Sequence, residues 1–181
     1  KDIDFFGNIK DGFTQVSIDP KKSLSLQKFS PSLKLESTKT MDLTALPKDL
    51  NLEKILKIGG KLFLMYNTWE KAEKKERLWI QELNEKKGSF EGSAKQMIET
   101  EKLIGMGMTW GWNGSFFGNY ESNRKFNVYL STDSTKLGVI GNYINDSKDD
   151  SKNKQKYGFW MFDKNLNTLW KKEVVMPYTE K

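Results

Sequence analysis

Asp163, Asn165 and Asn167 stand at alternate positions in "DKNLNT", the opening pattern D-x-N-x-N of a loop that could wrap a calcium ion in oxygen ligands. The pattern then breaks. Thr168 occupies the place of the glycine that makes the sharp turn, and Val174 the place of the bidentate glutamate. The residues read instead as a hairpin turn whose side chains bond their own backbone. A second acidic group, Asp146, Asp149 and Asp150 in "NDSKDDSKNKQK", is interleaved with lysines that would compete with a cation, and it reads as an inter-strand loop. A third stretch, Gly105 to Tyr120, holds five glycines around Trp110, Trp112, Phe116, Phe117 and Tyr120. Flat rings on a backbone this permissive could stack on sugars or on apolar side chains of a partner, or could fill a crowded space between packed elements. These five aromatics are the candidate partner- or ligand-binding residues.

The absence of histidine and cysteine narrows the chemistry further. Thiolate and imidazole zinc sites, Ser-His-Asp and Cys-His nucleophiles, and histidine acid/base catalysis are all excluded. No carboxylate pair stands out as an acid/base couple, and "GMGMTWG" lacks the G-K-[ST] of a phosphate loop. The sequence thus names no catalytic residue, no metal ligand and no cofactor. The net charge of +6 does not point to nucleic acid either. Of the 30 basic residues 28 are lysine, alternating with acids as in "EKAEKKER", where base and phosphate recognition favours the bidentate fork of arginine.

The elements that must position these residues are strands. Apolar alternation of period two recurs along the chain. Thr14, Val16 and Ile18 oppose Phe13, Gln15 and Ser17 in the first clear strand, and "SLSLQKF", "LKLESTKTM", "KLFLMYNTW", "RLWIQELN", "SAKQMIETE", "FNVYLSTD" and "KLGVIGNYI" follow. The last two strands are Tyr157 to Phe162 and Thr168 to Met176, joined by "DKNLN". Three pieces share one plan: an alternating strand, a polar turn, then a longer and more charged strand, beginning near Ser23, Arg77 and Tyr157. Each follows another apolar strand. The repeated unit is a four-stranded antiparallel sheet with an apolar inner half and a charged outer edge, as a β-propeller blade requires. Two segments also fit helices: "EKAEKKERLWIQELNEK" by propensity, and "DLNLEKILKIGG" by its glycine cap. For the first, a charged hairpin loop followed by a strand is the preferred reading.

The stretches "KIGGKLFLMYNTWEKAEKKERLWIQELN" and "FNVYLSTDSTKLGVIGNY…KYGFWMFDKNLNTLWKKEVVMPY" resemble uncharacterised β-propeller-like exported proteins of Bacteroidota. The resemblance runs over Phe13 to Tyr178. It implies export to the periplasm or cell surface and carries over no catalytic residue. The turn "DKNLNTLW" is also faintly similar to the aspartate box of sialidase-type propellers, without its serine and glycine.

The expected fold is all-β, with antiparallel blades near 1–44, 45–102 and 121–178 and the glycine and aromatic insertion at 103–120. These make about two to three blades of a larger propeller, and a closed up-and-down barrel or sandwich is the alternative. The chain opens with Lys1 and no signal-peptide pattern follows, which reads as a processed protein or a segment of a longer one. The functional expectation is a non-enzymatic interaction or scaffold module whose partner is another protein chain or further blades, in an assembly that could be membrane-associated. A carbohydrate-binding or glycosidase-type propeller, using Trp110 and Trp112 as platforms, is the alternative.

Overall fold

The computed structural model describes residues 2–19, 23–105, 124–144 and 153–179. These residues form twelve strands and no helix: β1 (Asp2–Asn8), β2 (Gly12–Asp19), β3 (Ser23–Phe29), β4 (Leu35–Asp42), β5 (Asn51–Ile58), β6 (Lys61–Glu70), β7 (Lys75–Asn84), β8 (Ser89–Thr100), β9 (Phe126–Leu130), β10 (Lys136–Asn142), β11 (Lys154–Asp163) and β12 (Thr168–Thr179). They make three four-stranded sheets, each a meander in which sequence neighbours pair antiparallel: β1 to β4, β5 to β8, and β9 to β12. No sheet borrows a strand from another, so the strands do not close into the alternative barrel. The architecture is that of consecutive propeller blades.

Alternation decides which side chains each sheet buries. In the first sheet Val16, Ile18, Leu24, Leu26 and Met41 point at the second sheet, where they meet Ile55, Leu62, Leu64, Tyr66 and Leu83. The opposite face of the second sheet carries Leu56, Ile58, Phe63, Met65, Leu78 and Ile80 against Val128, Leu137, Val139, Trp160 and Phe162 of the third. Because the second sheet is covered on both sides, Leu62 to Tyr66 are all buried and read as an unbroken apolar run. The same two-sided demand settles the helix-prone segments. "EKAEKKERLWIQELNEK" becomes the end of β6, a turn and β7, since Leu78 and Ile80 must face the third sheet while Trp79 packs toward the first. In "DLNLEKILKIGG" the glycines are the two-residue turn between β5 and β6, with φ of 57° and 79°, rather than a helix cap.

The two end faces differ. Outward positions of the first sheet are mostly polar (Gln15, Ser25, Gln27, Thr38 and Thr40), with an aromatic group at one end where Phe13 stacks on Phe29 at 4.9 Å and meets Phe5 edge-on at 5.8 Å. Outward positions of the third sheet are apolar in the middle, by the register that aligns Tyr129 with Gly138, Gly138 with Met161 and Met161 with Trp170, and are flanked by Asn127, Lys136, Asn142, Asp163 and Lys172. Ile140, Phe159, Tyr157 and Val174 share that face.

On the inner face of the third sheet Gly141 pairs with Gly158. The indole of Trp160 lies over this glycine pair, and Leu103, bridged to Tyr143, closes the other side. A methyl group at either glycine would occupy the space these side chains fill.

Candidate functional site

The five aromatics Trp110, Trp112, Phe116, Phe117 and Tyr120, and the acidic group Asp146, Asp149 and Asp150, lie outside the described residues. The Asp163 turn is described, and its carboxylate is engaged within the turn itself. Asp163 Oδ1 accepts the backbone N–H groups of Asn165 at 2.9 Å and Asn167 at 2.8 Å, and Oδ2 accepts Asn167 Nδ2 at 3.1 Å. These bonds, the Asn167 N–H first, hold the carboxyl below its ordinary range. The turn brings Leu166 into the left-handed region (φ 64°) and buries its side chain at the seam between the second and third sheets, where Lys95 Nζ donates to its carbonyl at 2.7 Å. The β9–β10 turn repeats the device: Asp133 accepts from Ser131 Oγ at 2.6 Å and from the Thr135 hydroxyl and N–H, and its carboxyl falls to about 2. Among the described residues no group of three or more carboxylates is gathered to hold a metal ion.

The polar site that the sequence did not single out is Glu53. Its strand, β5, is the inner strand of the second sheet and runs beside β9, the inner strand of the third. A register shift between Leu52 and Lys54 marks a β-bulge at Glu53. Alternation from Ile55, which faces the first sheet, would send Glu53 the same way; the extra residue turns it toward β9 instead. There the carboxylate accepts the Lys125 N–H at 2.8 Å, the Phe126 N–H at 3.3 Å and Asn67 Nδ2 from β6, with Asn67 oriented by Asn51 at 3.1 Å. Lys54 crosses the same seam to the carbonyl of Val128 at 2.9 Å. Burial pushes the Glu53 carboxyl up to about 7, against the opposing pull of these donors and of the Arg124 guanidinium. A cleft of about 290 Å³ opens beside it, lined also by Lys54, Arg124, Asn127 and Tyr129. Nothing in "LNLEKIL" distinguishes this glutamate from one on a solvated strand face, because the bulge is set by the pairing partner and not by local spacing.

Glu76 on β7 is buried farther along the same seam. Desolvation raises its carboxyl, opposed by Lys125, the Leu103 N–H and Lys102. Tyr143 forms a third polar group: its hydroxyl accepts from Thr100 at 2.9 Å and donates to Glu173 at 3.1 Å, while Lys156 lies 4.4 Å from its ring centre and pairs with Glu173 at 2.8 Å. A larger cleft of about 630 Å³ separates the second and third sheets at the Leu166 turn. Phe63 and Ile80 line it together with Lys61, Lys95, Glu82 and Glu91.

The largest exposed apolar group on the third sheet is its outward face, where Tyr129 is 56% and Trp170 48% exposed. Leu169, Val175 and Tyr178 add exposed apolar area on the outer strand β12. Among the described residues no helix is long and apolar enough to cross a membrane.

No protein family and no curated protein matches the chain. Among solved structures it is similar to an endo-arabinase from Bacteroides thetaiotaomicron, with 13% identity, a TM-score of 0.45, and coverage of 99% of this chain and 61% of that one. It is also similar to the β-propeller domain of the Trilobed protease from Pyrococcus furiosus, with 14% identity, a TM-score of 0.40, and coverage of 96% and 43%. A third is an acylaminoacyl peptidase from Pyrococcus horikoshii, at 13% identity, a TM-score of 0.40, and coverage of 92% and 24%. The chain therefore spans about three fifths of the first of these proteins and less than half of the other two.

Proposed function

We propose that the chain is a non-enzymatic interaction module, a run of propeller blades whose third sheet receives another antiparallel sheet on its outward face. One observation carries this reading: that face presents Tyr129, Ile140, Phe159, Met161, Trp170 and Val174 around Asn127 and Lys172, whereas the outward face at the other end, on the first sheet, presents glutamine, serine and threonine beside the Phe5, Phe13 and Phe29 group. The sheet-on-sheet stacking that joins the first three blades continues naturally there, since the third sheet offers the face on which each earlier sheet seats its successor. Glu53 and Glu76 support a structural reading of the interior, because each is engaged by donors of its own chain. A place in an exported cell-envelope assembly is the further part of the proposal, and it rests on the sequence resemblance alone.

Light scattering and thermal unfolding of the chain test this. The wild-type chain is expected to self-associate through the bare face at micromolar concentration, and Met161→Glu with Trp170→Lys is expected to return it to a monomer. A monodisperse wild-type monomer with a sharp transition above about 60 °C, the behaviour of a complete domain, would refute the reading.

A further inference from the structure

The first and third sheets make the same turn between their third and fourth strands. In "SPSLK" (30–34) and "DKNLN" (163–167) the fourth residue is a leucine in the left-handed region, Leu33 at φ 62° and Leu166 at φ 64°. Each donates its N–H to the carbonyl of the turn's first residue at 2.9 Å, and that residue's N–H bonds the fifth carbonyl, at 2.8 Å in the first sheet and 3.0 Å in the third. Leucine seldom adopts this backbone, where glycine or asparagine is at ease, so the destination of its side chain matters. Leu166 has one: it is buried at the seam beside Phe63 and Ile80 of the second sheet, and Lys95 Nζ donates to its carbonyl at 2.7 Å. Leu33, in the same conformation, is 70% exposed. Next to it Phe13 and Phe29 form the cross-strand pair nearest the turn, the place where Leu62 with Leu83, and Leu137 with Phe162, are covered by a preceding sheet.

The hold on the turn comes from a repeated row. Lys54, Met65, Ile80 and Lys95 lie side by side across the second sheet, facing the third. Asn127, Ile140, Phe159 and Lys172 lie side by side across the third, facing outward. The first sheet's row, through Val16 and Leu26, also ends on an outer-strand lysine: the stem of Lys39 lies over Gly88, the left-handed residue (φ 67°) of the second sheet's outer turn. We propose that the outward face of the third sheet holds the Leu33 turn of a second copy of this chain as the second sheet holds Leu166. Leu33 seats beside Phe159 and Met161, over the room that Gly138 leaves, and Lys172 Nζ donates to the Leu33 carbonyl. The same contact covers Phe13 and Phe29. It is head-to-tail, so each copy contributes a face and a turn. This rests on the reading that the third sheet receives another sheet, and it adds which one. Two third faces set together would offer Lys172 no equivalent carbonyl, because the Leu166 turn is already held by Lys95.

Sedimentation of variants of the full chain tests the contact. Leu33→Asn keeps a residue that accepts left-handed backbone and removes the apolar knob, and it is expected to weaken assembly roughly ten- to hundredfold. Its unfolding at high dilution, followed by tryptophan fluorescence, should match the wild type. Lys172→Gln should weaken assembly by about tenfold. Leu33→Asn retains the receiving face, and Met161→Glu with Trp170→Lys retains the turn. An equimolar mixture of these two is therefore expected to give a heterodimer, although neither associates alone. Assembly of Leu33→Asn equal to that of the wild type, or a mixture no larger than its components, overturns the choice of partner and leaves the receiving face standing. A wild-type chain that stays monomeric removes both.

Discussion

Gly158→Ala isolates one contact on which the third sheet depends. A Cβ built at this position lies 2.2 Å from Cη2, 2.8 Å from Cζ3 and 2.9 Å from Cζ2 of Trp160. The strand backbone at 158 is not in the left-handed region, so alanine itself is conformationally acceptable there and the clash is the whole effect. The indole cannot slide toward Gly141, where Leu103 already approaches to 2.8 Å of a would-be Cβ, and its other side meets Phe126 edge-on at 6.2 Å. Two relaxations remain. Expelling the ring from a site where it is 8% exposed forfeits about 200 Å² of apolar burial, on the order of 5 kcal/mol. Shifting the strand to keep the ring costs about 1–3 kcal/mol, as overpacking usually does. The chain takes the cheaper route, so a loss of about 1–3 kcal/mol is expected, or roughly 2–12 °C in Tm. Urea unfolding followed by tryptophan fluorescence measures it. In a Trp160→Leu background the same substitution should cost almost nothing, a coupling of about 2 kcal/mol. Additivity of the two changes within about 0.5 kcal/mol would refute the reasoning.

Other substitutions probe the rest of the frame. Phe162→Ala empties a fully buried site in the larger core cluster and is expected to cost about 3–5 kcal/mol in chemical denaturation. Lys74→Gly, at an exposed turn residue with φ 54°, should stabilise by about 0.5–1 kcal/mol, seen as a higher urea midpoint. Asp163→Ala should lower the Tm by removing three acceptor contacts from the β11–β12 turn, and added calcium should move the wild-type Tm by less than about one degree. Asp133 has a depressed carboxyl, so its contribution is complete above its unfolded value near 3.8 and is lost as pH falls through about 2; Asp133→Asn should flatten that acid limb of the stability profile.

Most strands were legible because period-two alternation and polar turns coincide with them. Tyr157 to Phe162 pairs with the strand beginning at Thr168 across "DKNLN", as the apolar spacing implies, with one register shift after Met161. β1 is not legible in the sequence: "DIDFFGN" carries two acids and adjacent phenylalanines, and it becomes a strand because the turn at Ile9 to Asp11, held by Asn8 Oδ1 accepting the Lys10 and Asp11 N–H groups, brings it back to pair with β2. The helix-prone charge run before Trp79 misleads local propensity, and only the apolar surfaces on both sides of the second sheet decide the matter. The site is a different case. Asp163 reads as a self-bonded turn from its neighbours alone, since every partner is within four residues. Glu53 was not legible, because its donors lie 14 to 73 residues away and its bulge depends on a partner strand.

The consecutive pairing of every sheet also bears on synthesis. Each meander is complete in hydrogen bonds once its own last strand has emerged, so the blades can form in chain order from the N-terminal side. Their faces do not mature on the same schedule. The first sheet needs a neighbour on one side, and the second supplies it. The second sheet, apolar on both sides, keeps Phe63, Met65, Leu78 and Ile80 bare until β9 to β12 are made. At about 5–20 residues per second that interval lasts on the order of several seconds. The nascent chain is therefore most prone to capture by chaperones, or to aggregation, after β8 and until the third sheet is made, and a ribosome stalled within that window would hold it in its stickiest form.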